Sequence, residues 1–119
     1  MTLKEQEEFI IDMYADLFHD ADATKVPKYC SKDFVEENNY DVLDYDAMVA
    51  HVEEIGTRSA QGIFDIEFIV NVPGQVVIRT IVTVTDQIEG APPVSLLISY
   101  WQFNDEGKVN YCKEVEYAT

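Results

Sequence analysis

Residues 92–117 read PPVSLLISYWQFNDEGKVNYCKEVEY, and this stretch decides the fold. Two apolar-rich runs flank the polar turn Asn104-Asp105-Glu106-Gly107-Lys108. Alternating β-branched and aromatic residues on both sides of a short glycine-containing connection predict a β-hairpin. Successive strand side chains point to opposite faces. The first arm therefore sends Ser95, Leu97, Ser99, Trp101 and Phe103 one way, and Val94, Leu96, Ile98, Tyr100 and Gln102 the other. Both sets are largely apolar, so neither face is expected simply to meet water. One side must cover a core or cavity, and the other calls for a second partner such as another subunit. On the second arm Cys112, Glu114 and Glu116 share a face, opposite Val109, Tyr111, Val115 and Tyr117.

Working outward, Ile63 to Val72 alternates cleanly, with Phe64, Ile66, Phe68, Val70 and Val72 on one face and Asp65, Glu67, Ile69 and Asn71 on the other. Pro73-Gly74 is a type II turn signal. Val76 to Ile88 predicts a long strand, and Glu89 to Pro93 a loop. Arg79 shares a face with Val77 and Ile81 and is expected to pair with a carboxylate such as Glu114 across the sheet. Upstream the period changes from two to three and four. Phe9, Ile10, Met13, Tyr14, Leu17 and Phe18 form one apolar stripe, which predicts a helix over residues 2–20. A second short helix is expected from Thr24 to Cys30, with Pro27 tolerated in its first turn. Phe34 to Asn38 reads as a short strand, and residues 38–41 as a turn. Asp44 or Asp46 then caps a third helix that stops at Gly56.

Helices followed by long antiparallel strands predict an α+β fold. Strand twist curls such a meander. With three N-terminal helices laid across its open side, the curved antiparallel sheet forms a cone enclosing a pocket.

The chain is 119 residues long, which predicts a single domain over 1–119. It carries 8 Lys+Arg against 23 Asp+Glu, a net charge of −15. Nucleic acid and anionic membrane are bound through clustered positive charge, so neither is an expected partner. No apolar run approaches the ~20 residues of a membrane span, and the charged start MTLKEQEEFIID is not a secretory signal. The cytoplasm is the expected location. Cys30 and Cys112 are too few and too far apart for a metal motif or a disulfide framework, and are expected to be buried thiols.

The order of elements resembles the NTF2-like superfamily, in particular its SnoaL-like and ketosteroid-isomerase-like branch. The residues carrying the resemblance are MYADLFHDADATKVPKYCSKDFVEEN (13–38), Gly62 to Asp65, and Tyr100-Trp101-Gln102-Phe103-Asn104-Asp105-Glu106-Gly107-Lys108-Val109. The resemblance implies a cystatin-like cone with a ligand pocket, usually a homodimer through the outer face of the sheet. Its members include isomerases, cyclases, dehydratases, epoxide hydrolases and binders without chemistry, so the fold alone does not fix function.

Steroid-isomerase chemistry needs a carboxylate base and two donors, a tyrosine and a protonated aspartate, that hold an enolate oxygen. Tyr14 matches the branch's tyrosine. Asn38 stands where the resemblance places the base, and Ser99 where it places the second donor. Asn38 cannot take a proton near neutral pH, and Ser99 is a weaker donor than a carboxylic acid, which argues against that reaction. The SnoaL-like pattern Phe-Val-x-His falls on Phe34-Val35-Glu36-Glu37-Asn38, with Glu37 at or beside the histidine position. Alternation sends only one of Glu36 and Glu37 inward. His51 on the third helix titrates near neutrality, and His19 lies near the end of the first.

The catalytic candidates are therefore Tyr14, Glu37 and His51, and the ligand-binding candidates Tyr14, Asn38, Ser99, Trp101 and Phe103. Each also has a plain structural reading, as packed aromatic or solvated charge. No metal site is expected, because neither histidine is spaced with carboxylates as a ligand set and Asp20-x-Asp22 is too short for a calcium loop. No cofactor is called for. Two functions fit. One is a small-molecule binder for an apolar or aromatic ligand, with cofactor-free acid–base chemistry of isomerase, cyclase or dehydratase type. The other is a non-catalytic homodimeric interaction or sequestering module whose cone is plugged.

Overall fold

The computed structural model describes residues 1–58, 62–84 and 94–118. Helix α1 (Leu3–Met13) starts at a reciprocal cap. The Glu5 N–H donates to Thr2 Oγ1 at 3.1 Å, and the Thr2 N–H donates to Glu5 Oε1 at 2.7 Å, so two amides at the helix start are satisfied locally. Its apolar stripe is buried as expected, with Ile10, Met13 and Leu17 wholly inaccessible. The helix does not stay α throughout. From Tyr14 to His19 it widens into a π-helical segment, with the Asp20 N–H reaching back to the Ala15 carbonyl at 2.9 Å. Ala21, at φ 53°, then closes it. After a 3₁₀ turn (Ala23–Lys25) and α2 (Val26–Tyr29), the chain enters β1 (Cys30–Glu37), β2 (Val42–Asp44) and α3 (Tyr45–Gly56). Of the two candidate caps for α3, Asp44 takes the role: its Oδ1 accepts from the Ala47 N–H at 2.8 Å.

The long strands are β3 (Gly62–Val72), β4 (Gln75–Val84), β5 (Val94–Phe103) and β6 (Val109–Ala118). They form the expected antiparallel meander. Residues 85–88 of the expected long strand lie outside the described residues. The sheet itself is larger and mixed, with six strands in the order β2-β1-β6-β5-β4-β3. This corrects the expectation of an all-antiparallel sheet. β1 lies parallel to β6, and β2, not foreseen in the sequence, returns antiparallel on β1. An open meander would leave β6 with unpaired backbone groups along one edge; β1 covers them.

Two register shifts change which side chains face inward. Phe68 pairs with Ile78 but Val70 with Val77, making Ile69 an extra residue. Asn71 consequently joins the helix side, and Val70 and Val72 are 41% and 42% exposed. Likewise Phe103 pairs with Val109 and Gln102 with Tyr111, which leaves Asn110 as the extra residue. Val109 is therefore buried together with Cys112, not opposite it as strict alternation predicts. Arg79 faces outward and pairs with Glu67 at 2.7 Å; Glu114 lies on the opposite face, so the expected Arg79–Glu114 contact does not form.

The concave face divides along its length. At the end near Gly74, aromatic side chains fill the space. Trp101 stacks on Phe34 with centroids 6.1 Å apart, and Phe9 meets Tyr29 and Phe103 edge-on at 5.2 and 5.1 Å. At the other end, bounded by Phe64, Thr80, Leu97 and Glu114, the face stays open. Among the described residues no helix is long and apolar enough to cross a membrane.

Gln6 fastens α1 to the closed end. Its Nε2 donates to Asn71 Oδ1 at 2.8 Å and to the Val72 carbonyl at 2.9 Å, and its Oε1 accepts from the Gly74 N–H at 2.7 Å. Gln6 is only 1% exposed, so its removal strands buried polar groups. Gln6→Ala is expected to lower stability by about 1–3 kcal/mol, the range for buried hydrogen-bonding groups left without partners, as measured by urea unfolding.

Candidate functional site

The open end of the concave face encloses a cavity of about 460 Å³. Five parts of the chain build its wall. The π-helical segment contributes Tyr14 and Phe18. The end of β1 and the following turn contribute Glu36, Asn38 and Asp41. Helix α3 contributes His51 and Ile55, and the chain just beyond its end contributes Arg58. β3 and β4 contribute Phe64, Thr80 and Val82. β5 and β6 contribute Ser95, Leu97, Glu114 and Glu116.

Strand parity explains the acidic side. Glu36 pairs in register with Cys112, and Ser99 with Glu114, so Glu36 and Glu114 project from the same face as Trp101. Glu36 is 6% exposed. It accepts from Asn38 Nδ2 at 3.3 Å and from the Cys112 thiol. Burial raises its carboxyl above the usual range, and these two donors only partly offset that. Glu114 accepts from Ser99 Oγ at 3.2 Å. Burial first, and the charge of Glu36 second, push Glu114 up to about 7. Two carboxyls close together in a poorly solvated site cannot both ionise freely. Glu114 is thereby poised to exchange a proton near neutral pH.

Tyr14 is 5% exposed and its hydroxyl accepts from Trp101 Nε1 at 3.2 Å. Burial, then the nearby Glu114 charge, raise it well above the ordinary phenol value, so it stays protonated. His51 sits half-buried on the wall, and burial holds its imidazole below the usual range. It is therefore mostly neutral at pH 7. Among the described residues no group of three or more His, Cys, Asp or Glu converges tightly enough to hold a metal ion.

The expected site residues separate accordingly. Tyr14, His51 and Asn38 line the cavity. Asn38 also shapes the turn after β1: its Oδ1 accepts from the Tyr40 and Asp41 N–H groups at 2.9 and 2.8 Å. Ser99 is fully buried and acts on the cavity through Glu114. Trp101 and Phe103 lie in the aromatic packing beneath, and neither belongs to the cavity wall. Glu37 points to the outer face, where Lys113 donates to it at 3.2 Å. Of the Glu36–Glu37 pair, the inward one is Glu36. His19 is bound to the Gly62 carbonyl at 2.9 Å, away from the cavity wall.

The sequence puts Glu114 on the face shared with Cys112, but it was expected there only as a structural partner of Arg79, with no place in the site. Sequence reasoning also passed over Thr80 and Arg58. The available signal was a carboxylate midway along a strand with both faces occupied, where charge is costly unless used or paired.

No protein-family model and no curated protein matches the sequence. Solved structures match its fold over nearly the full length. An NTF2-like protein with a cystatin-like fold from Novosphingobium aromaticivorans aligns at TM-score 0.66 and 15% identity, covering 95% of this chain and 82% of that one. A candidate isomerase of the SnoaL-like family from Agrobacterium tumefaciens aligns at 0.68 and 9%, covering 92% and 95%. An LEH-like epoxide hydrolase from M. tuberculosis aligns at 0.70 and 13%, covering 90% and 79%. The chain has an NTF2-like fold of SnoaL type.

The raised Glu114 carboxyl has a consequence for stability. A carboxyl whose folded pKa lies above its unfolded value stabilises the fold while pH is below the unfolded value. That contribution is lost as pH rises through the folded one. For Glu114 the window runs from 4.5 to about 7. Glu114→Gln is expected to melt with the parent protein near pH 4 and to be more stable at pH 8, by roughly 2–3 kcal/mol at most, as read from thermal unfolding across pH.

Proposed function

We propose that this NTF2-like chain binds a small, largely apolar molecule in the cavity and transfers a proton on it without a cofactor. Chemistry of this isomerase, cyclase or dehydratase kind moves a proton to or from carbon or oxygen. The single observation carrying the reading is Glu114: a half-buried carboxyl on the cavity wall, held by Ser99 and pushed up to about 7. A general base is most effective when its pKa lies near the working pH. In this reading Glu114 accepts the substrate proton as the bond to carbon breaks, and the electron pair moves onto a carbonyl oxygen. Tyr14, kept protonated, donates to that oxygen. Glu36 supplies the like charge that raises Glu114, and Asn38 orients Glu36. His51 is a neutral donor or acceptor on the opposite wall. Phe18, Phe64, Val82 and Leu97 provide an apolar bed. The similar folds described as isomerase and epoxide hydrolase support acid–base work on small organic molecules, while differing in nine-tenths of their residues.

The aromatic packing around Trp101 favours a second reading, a non-catalytic sequestering module, because it plugs half of the concave face. On either reading the outer face, where Leu96, Ile98, Tyr100 and Val115 remain partly exposed, is the surface on which a homodimer would form.

The test is proton exchange at carbon. Apolar cyclic ketones such as 2-tetralone are incubated in D₂O at pH 7.5 and followed by mass spectrometry. The parent protein is expected to accelerate deuterium uptake beside the carbonyl. Glu114→Gln should reduce that acceleration about 100-fold or more. Uptake no faster than in buffer, with a small molecule still retained in native mass spectrometry, favours the sequestering module. Uptake equal in the variant removes Glu114 from the reaction.

A further inference from the structure

The cavity has an uncompensated charge. Glu36, Glu114, Glu116 and Asp41 all lie on its wall, and none of them forms an ion pair among the described residues. The chain has 8 lysines and arginines, all among the described residues. Of these only Arg58 reaches the wall, and there it is bound to Glu54 at 3.0 Å. The protein thus offers these carboxyls hydrogen bonds but no cation, and burial has already driven Glu36 and Glu114 towards their protonated forms. His51, held neutral by burial, adds no positive charge.

A second feature points to a ligand independently. Thr80 lines the same cavity and is 1% exposed, yet its Oγ1 has no hydrogen-bond partner among the described residues. Buried hydroxyls are nearly always bonded, because an orphan forfeits its hydration. Thr80 pairs with Leu97 on β5, and Leu97 with Glu116 on β6. The orphan hydroxyl and the acidic strand therefore face each other across one intervening strand, a backbone separation of about 10 Å at the usual strand spacing. Leu97 lies between them as an apolar floor.

We propose that the cavity takes a small amine carrying a second polar atom: its ammonium sits beside Glu36 and Glu114, its apolar body lies over Leu97, and its hydroxyl or carbonyl bonds to Thr80 Oγ1. This assignment rests on the reading that the cavity is a small-molecule site, and it names the substrate class. An anionic ligand would meet four carboxyl groups. A neutral ligand would leave them as they are. An ammonium supplies the missing countercharge and three donors.

Isothermal titration calorimetry at pH 7.5 tests this with three probes of one shape. Tyramine has the ammonium and the distal hydroxyl. Tyrosol replaces the ammonium by a hydroxyl, and phenethylamine lacks the distal hydroxyl. Tyramine is expected to bind roughly tenfold or more tighter than tyrosol, the factor that a hydrogen bond to a charged group supplies. It should also exceed phenethylamine by a smaller factor of about five. Glu114→Gln should narrow the first gap and Thr80→Val should close the second, with circular dichroism confirming that each variant folds. Tyrosol binding as tightly as tyramine overturns the amine assignment while leaving a small-molecule site in place. Phenethylamine matching tyramine overturns the role of Thr80. If none of the probes binds, the assignment falls; persistence of the ketone exchange described above would then show that the proton-transfer reading survives without it.

Discussion

The hydrogen bond from the Trp101 indole to the Tyr14 hydroxyl governs how the two layers meet. A buried indole N–H needs an acceptor, and Trp101 is 1% exposed. Its acceptor sits on the first turn of the π-helical segment, so satisfying one strand residue fixes the height and rotation of the helix above the sheet. Tyr14 in turn packs edge-on against Phe18, Phe64 and Trp101, with centroids 5.0, 5.8 and 6.1 Å away. The result is a partition. Below Tyr14 the aromatics are interlocked; above it there is space. A π-helical turn at such a point fits the general tendency of that irregularity to occur where a helix must present side chains to a site.

Above the partition, electrostatics rather than shape distinguishes the molecule. Burial raises Glu36, Glu114, Tyr14 and both cysteines in the same direction, towards the neutral form. The cysteines are free and buried, as their number and spacing suggested. These five groups thus prefer to hold their protons. Such a site relaxes when a proton leaves only if something positive arrives or the proton is handed on.

The repeating features of the fold were legible in the sequence. The hairpin over the described residues 94–117, the stripe from Phe9 to Phe18 and the stop at Gly56 were all written in local pattern, and each stands in the structure. What escaped were departures from period. The π-helical widening after Met13 adds a residue to a turn without a composition signal. The extra residues Ile69 and Asn110 invert alternation partway along strands that otherwise obey it. The parallel pairing of β1 with β6 joins segments some 75 residues apart, and local patterning carries no record of it. The candidate site shows the same division. Tyr14, Asn38 and His51 were legible because they lie in segments with a clear frame. The choice between Glu36 and Glu37 depended on the phase of one short strand. Thr80 was illegible because its distinction is a missing bond, which only the packed structure reveals.

The extra residue at Asn110 also decides what the chamber contains. Val109 must turn inward to complete the packing under Trp101. Counting in twos from Val109 without that interruption would carry Tyr111, Lys113 and Val115 to the interior, giving one base and no acid. With it, the inward set beyond Cys112 becomes Glu114 and Glu116. A single kink in the backbone, remote from any chemistry, therefore sets the electrical polarity of the interior.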